Sequence, residues 1–205
     1  MKADPSTASW LTHATACLGL TLGGLGLWLG LAEGAVTLWG FGGACLLQIP
    51  PALSLGARIR EGLGNSGLER ERLTLKAVSL GQRFLAMAMA MAAISALLGE
   101  RSPGPGVMIL GGALAALAAL AALWFAKRAL SGLHPTLALD AARTRTLLEL
   151  AALLLLGSLL GRWFPWADAV LGLGMALWLF LAGLSLAKAS TLQAAACGGC
   201  GGGCH

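Results

Sequence analysis

The sequence predicts an all-α integral membrane protein, a bundle of six transmembrane helices with both termini cytoplasmic. Three observations carry this. Of the 205 residues, 57% are hydrophobic and only 11% are charged, against about 45–50% and about 25% in soluble domains. The apolar residues run together in long blocks, and crossing a hydrocarbon core of about 30 Å takes roughly 20 of them in a helix. The fourteen Lys and Arg and nine Asp and Glu are too few to cover a soluble surface of this size. The balance excludes a soluble enzyme, a disordered chain and a nucleic-acid binder, and membrane orientation accounts for the net charge of +5.

Residues 1–9 form a cytoplasmic N-terminal segment, 10–189 the six-helix domain, and 190–205 a flexible cytoplasmic tail rich in Cys and Gly. The first span, Trp10 to Ala32, carries His13 near its start. Lys2 alone makes a poor basic n-region and no small-residue cleavage site follows, so the segment reads as a retained helix rather than a signal peptide. No lipidation motif is visible. The second span, Val36 to Ala57, is broken by Pro50 and Pro51. The third, Ala77 to Leu98, contains Arg83 and three alternating methionines, Met87, Met89 and Met91. Alternation spreads them around the helix, which suits packing filler and not a metal-lining stripe. Val107 to Ala126 is the fourth span, nearly all Ala, Leu and Gly. The fifth, Leu137 to Gly161, carries Asp140, Arg143, Arg145 and Glu149 before an uninterrupted apolar run, and Ala169 to Ala187 is the sixth.

Loop charges fix the orientation. Arg58, Arg60, Arg70, Arg72 and Lys76 lie between spans two and three. Lys127, Arg128, Arg143 and Arg145 lie around the connection between four and five, with Lys2 and Lys188 at the ends. The other side holds only Arg101 and Arg162. Both termini are therefore placed in the cytoplasm. Within the bilayer, Gly19 and Gly23, then Gly26, Gly30 and Gly34, repeat at four-residue spacing and predict a groove for close helix approach. Trp10 and Trp124 near one boundary, and Trp163 and Trp166 near the other, suit interfacial anchoring.

The last third of the chain carries a resemblance. Ala138 to Arg143 opens the fifth helix. An apolar run follows, then Trp163-Phe164-Pro165-Trp166-Ala167-Asp168 and a sixth helix ending Leu186-Ala187-Lys188-Ala189-Ser190. These stretches resemble the fifth and sixth helices of the cation diffusion facilitator family, and Leu29 to Trp39 is similar to that family's approach to its second helix. The resemblance implies six helices with both ends cytoplasmic, export of zinc or a similar ion against protons, and a dimer. It also implies an aspartate, here Asp168, at the start of the sixth helix, where an acidic group suits a helix N-terminus.

The family's ion site pairs ligands at four-residue spacing on its second and fifth helices. Laid on this chain, those positions hold Ala44 and Gln48, and Arg143 and Leu147. None is the expected ligand, and Arg143 puts a fixed positive charge where the cation belongs. The cytoplasmic domain that usually follows the family's sixth helix is also not seen. The chain thus reads as a divergent member. Asp140, Glu149, Gln48 and Cys45 are the groups left to line a transport pathway, since ionisable residues in a membrane span are functional candidates. Each has a plainer reading. Glu149 is four residues from Arg145, the spacing of an intrahelical ion pair, with Arg83 an alternative partner. Asp140 pairs with Arg143 or Arg145, Cys45 is an apolar filler, and His13 is solvated.

The tail reads Cys197-Gly-Gly-Cys200-Gly-Gly-Gly-Cys204-His205. Cys-x-x-Cys presents two thiolates to one ion, and Cys204 and His205 complete a four-ligand set. Thiolates favour Zn²⁺ or another soft heavy-metal ion. Disulfides are disfavoured in a reducing cytoplasm, although a redox pair of Cys197 and Cys200 is the alternative use. No catalytic constellation competes.

The expectation is a divalent heavy-metal efflux transporter of the bacterial cytoplasmic membrane whose tail captures the ion. It is not an enzyme, and its partners are lipids, the metal ion, and a second copy or a related transporter. The alternative is a non-transporting membrane subunit that binds metal through the tail and supports an active partner.

Overall fold

The computed structural model describes residues 5–60, 68–99, 107–131 and 135–198, with side chains described within 10–60, 69–99, 109–131 and 137–188. Every regular element among them is helical: α1 (Pro5–Glu33), α2 (Val36–Leu46), α3 (Ile49–Arg60), α4 (Leu68–Leu98), α5 (Val107–Leu130), α6 (Pro135–Leu160) and α7 (Ala167–Gly198).

Five stretches among the described residues are long and apolar enough to cross a membrane: Trp10–Glu33, Val36–Arg60, Glu69–Leu98, Ile109–Leu130 and Ala167–Lys188. Their outer faces are apolar, with Trp28, Phe84, Met91, Phe125 and Leu177 all exposed. That is the surface of a multi-pass membrane protein, in which lipid replaces water against the bundle. The fifth expected span is present as the helix α6, but it falls outside this set because Asp140, Arg143, Arg145 and Glu149 leave too short a charge-free stretch.

The prolines break the second span where expected. A proline inside a helix removes a hydrogen bond and clashes with the preceding turn, at about 3 kcal/mol or more, whereas in a first turn it costs little. The chain accordingly ends α2 at Leu46 and restarts α3 at Ile49, with Pro50 and Pro51 in the new first turn. Leu47 and Gln48 bridge the gap, the Gln48 N–H donating to the Cys45 carbonyl at 3.1 Å. Irregular backbone at such depth is tolerated only inside protein, and Gln48 is buried.

α2 is the centre of the bundle. Nine of its eleven residues are buried, against α1, α4, α6 and α7. Phe41, Ala44 and Cys45 of α2 share one core with Met89 of α4, Leu120 of α5, Leu147 and Leu150 of α6, and Met175 of α7. Met89 is fully buried while Met87 and Met91 point outward, as alternation on a helix requires.

The glycine groove seats α1 on α2. A Cβ on Gly30 would stand 2.3 Å from the Trp39 nitrogen, and one on Gly42 would stand 2.4 Å from the Leu27 nitrogen. Gly34 does not belong to this seam. It sits at φ +69° with open space around it, and the Ala35 N–H donates to the Gly30 carbonyl at 2.9 Å. This is a Schellman turn, in which glycine accepts the left-handed conformation that ends a helix.

Candidate functional site

Helix starts leave backbone N–H groups without intrahelical acceptors, and Ala35, at the N-cap of α2, has no side chain to offer them. Asp168, in the first turn of α7, supplies the acceptor instead. Its carboxylate receives the Val36 N–H at 2.8 Å, the Thr37 N–H at 3.3 Å and the Thr37 hydroxyl. The aspartate expected at the start of the sixth span is there, and it serves a second helix as well as its own.

Polar residues gather at the end of the bundle where α3 leads to α4 and α5 leads to α6. Arg58 near the end of α3 pairs with Glu71 near the start of α4, both buried. Lys127 near the end of α5 pairs with Asp140 of α6 at 2.7 Å, again buried, and donates to the Thr144 hydroxyl at 3.0 Å. Arg143 lies one turn beyond Asp140, with Asp140 and Glu71 the carboxylates acting on it. It is buried, yet its Nε and Nη2 have no hydrogen-bond partner among the described residues. The five groups comprise three cations and two carboxylates, which leaves one positive charge over.

Arg143 lines a cavity of about 240 Å³ together with Gln48, Gln82, Thr146, Ala182 and Ser185. Gln82 Oε1 is buried without a partner as well. Ala142 and Ser185, also in the lining, are exposed, so the cavity opens between α6 and α7.

The sequence-designated residues divide. Cys45, Gln48 and Leu147 meet around a small void of about 10 Å³ that also touches Thr144. Ala44 is buried beside them in the core. Asp140 is elsewhere, paired with Lys127, and Glu149 is held by Arg145 at 2.9 Å on an exposed face. Asp140 therefore takes its partner from α5, not from Arg143 or Arg145. Arg83 turns to its own helix, donating to the Ser79 carbonyl and hydroxyl at 3.3 and 3.2 Å, and is not the partner of Glu149. His13 is exposed. No three His, Cys, Asp or Glu side chains converge as a metal site among the described residues. Cys200, Cys204 and His205 lie outside the described residues. So does the side chain of Cys197, whose backbone is in the final turn of α7.

Sequence reasoning missed Glu71, Gln82 and Lys127. The first and last stand among basic residues already explained by topology. The available clue was acidic residues at the two connections, Glu61, Glu69 and Glu71 at the first and Asp140 at the second, which are a poor choice for purely positive loops. No protein-family model matches this chain, and no curated protein matches it.

Proposed function

We propose that the protein is a six-span component of the bacterial cytoplasmic membrane, with both ends cytoplasmic, that binds a soft heavy-metal ion through its terminal thiolates and does not conduct that ion through its helices. It supports an active transporter, or a second copy of itself, as a metal-binding subunit. α6 is the sixth span in this reading. Its 26 residues reach about 39 Å at about 1.5 Å each, and of its charges Asp140 is turned onto α5 and Arg145 and Glu149 are paired within the helix, which lowers the cost of placing those three in a bilayer.

The observation that carries the reading is the state of the bundle's charges. Asp140 is taken by Lys127 and Glu149 by Arg145, while Arg143 has no ion-pair partner among the described residues. Two unit charges about 4 Å apart at an effective dielectric of about 20 interact by about 4 kcal/mol, and a divalent ion doubles the repulsion. The tail carries the metal part of the reading on spacing alone: three thiols and an imidazole separated almost only by glycine.

Export of the ion, the activity the family resemblance implies, is the second reading. It is favoured by the meeting of Gln48 and Leu147 at one void beside the break in the second span. Zinc flux into sealed proteoliposomes under a pH gradient decides between them, comparing the full chain with one truncated after Ala196. The expected result is no flux from either and zinc retained by the full chain alone. Saturable flux from either chain overturns the subunit reading in favour of transport.

A further inference from the structure

We infer that the cavity between α6 and α7 binds a phosphate group on Arg143, a function separate from any metal held by the tail. Three observations carry it. The first is the guanidinium edge left open. Nε and Nη2 share the side of the guanidinium that donates two parallel hydrogen bonds to one oxyanion, and both are buried without a partner. A buried arginine normally has its donors satisfied, because each unmet one keeps the cost of leaving water.

The second is charge. Arg58 is paired with Glu71 and Lys127 with Asp140, so one bound anion completes the balance that Arg143 leaves open. A cation here would add to an existing excess. Asp140 and Glu71 also rule against a highly charged ligand, because an anion larger than the one uncompensated charge meets repulsion from both.

The third is the remaining lining. Gln48, in the link between α2 and α3, and Gln82 of α4 are buried carboxamides, and Thr146 and Ser185 bring hydroxyls near the mouth. The hydroxyls now donate to carbonyls on their own helices, Ser185 to Ala182 at 2.8 Å and Thr146 to Ala142 at 3.3 Å, and a hydroxyl turns readily to a new acceptor. Turning the Gln82 carboxamide over puts its NH₂ where the unpartnered oxygen stands. These groups outnumber the two oxygens of a carboxylate and suit the four oxygens, free and bridging, of a singly charged phosphodiester or of dihydrogen phosphate. The opening at Ala142 and Ser185 lies on the outside of the bundle, within reach of both lipid and water if α6 and α7 span the membrane. The phosphate therefore comes either from an anionic lipid headgroup entering sideways or from free phosphate.

The test uses the full chain in dodecyl maltoside and reads the thermal midpoint and native mass. Inorganic phosphate is titrated in one arm and dioleoyl phosphatidylglycerol in the other, each against sodium chloride at equal ionic strength. The expected result is saturable stabilisation by one of the two, with a matching mass adduct if it is the lipid. Arg143→Gln should weaken it at least roughly tenfold, and Arg143→Lys, which keeps the charge without the paired donors, should restore only part. Because Arg143→Gln can disturb folding, Ala142→Phe provides a second block at the exposed mouth while leaving the arginine in place, and it should abolish the same response. A response to phosphate alone assigns a free-phosphate site; a response to the lipid alone assigns a headgroup site. Equal responses to chloride, no response to either ligand, or unchanged binding in both variants overturns the proposal. None of these results depends on zinc flux or on the tail.

Discussion

Asp168 caps Thr37 across 131 residues of chain. The carboxylate lies in the first turn of α7 and receives the backbone N–H and hydroxyl of a residue in the first turn of α2, together with the Val36 N–H. One acidic side chain thus faces the N-termini of two helices, each a concentration of partial positive charge. It also fixes the two helices in register at one end of the bundle.

Replacing this carboxylate should be costly. Asp168→Ala leaves two buried N–H groups of α2 without acceptors and should lower stability by about 3 kcal/mol, at about 1–3 kcal/mol for each unmet group. Asp168→Asn keeps one acceptor oxygen and should recover roughly half. Thermal unfolding followed by helical circular dichroism in detergent measures both. Equal stability of Asp168→Ala and the native protein would remove the cap from the account.

The buried pair Lys127 and Asp140 should behave asymmetrically. Removing one partner of a buried pair costs about 3–5 kcal/mol, whereas exchanging both for apolar residues is nearly neutral. Lys127→Met leaves Asp140 with Arg143 still acting on it. Asp140→Leu leaves Lys127 and Arg143 together with less compensation. The single change at Asp140 should therefore be the more damaging, and the double change Lys127→Met with Asp140→Leu should recover most of the loss. Unfolding in graded SDS gives the ranking.

The α1–α2 seam predicts opposite outcomes for two glycines. Gly42→Ala places a methyl 2.4 Å from backbone, so the helices must separate, and a loss of about 2 kcal/mol is expected. Gly24, on the same helix as the seam, has nothing within 4 Å. Gly24→Ala should be neutral or stabilising by up to about 1 kcal/mol, because alanine is the better helix former. The thermal midpoints of the two variants check the sign.

Met89 and Met91 give a parallel contrast. Met89 is 0% exposed in the central core and Met91 is 68% exposed. Met89→Ala should cost about 2–5 kcal/mol, while Met91→Ala, which exchanges one lipid-facing group for another, should change stability by less than about 0.5 kcal/mol. A large effect at Met91 would mean that its face is covered by protein and not by lipid.

What could be read directly from the chain was local. Four-residue glycine spacing located the α1–α2 seam, two adjacent prolines located the break at Leu47 and Gln48, and the i,i+4 spacing of Arg145 and Glu149 named an ion pair. Gly34 followed the same spacing and had a different task, because a helix end and a helix face use glycine for unrelated reasons. Partners across the bundle were not legible. Asp140 has two arginines close by in sequence, yet pairs with Lys127 of α5, which meets its carboxylate directly, while Arg143 lines the cavity toward α7 and Arg145 pairs with Glu149. Asp168 was readable as the start of α7 but not as the cap of α2, which depends on how two distant helix ends are brought together. Arg143 stood out as an obstacle to cation binding. Its open donor edge became visible only once Glu71 and Lys127 had been matched to other partners.

The turn at Gly34 and Ala35 also constrains how the protein is made. Only these two residues separate α1 from α2, so there is no slack for the first two spans to enter a bilayer one after the other. Val36–Arg60 is the least apolar of the five candidate spans and the most covered by protein in the finished bundle. It partitions into lipid poorly as a lone helix. Entry as a hairpin with the more apolar α1, to which it is joined through the glycine seam, is the expected route, and a segment that lipid alone holds weakly is then covered by the other helices in the finished bundle.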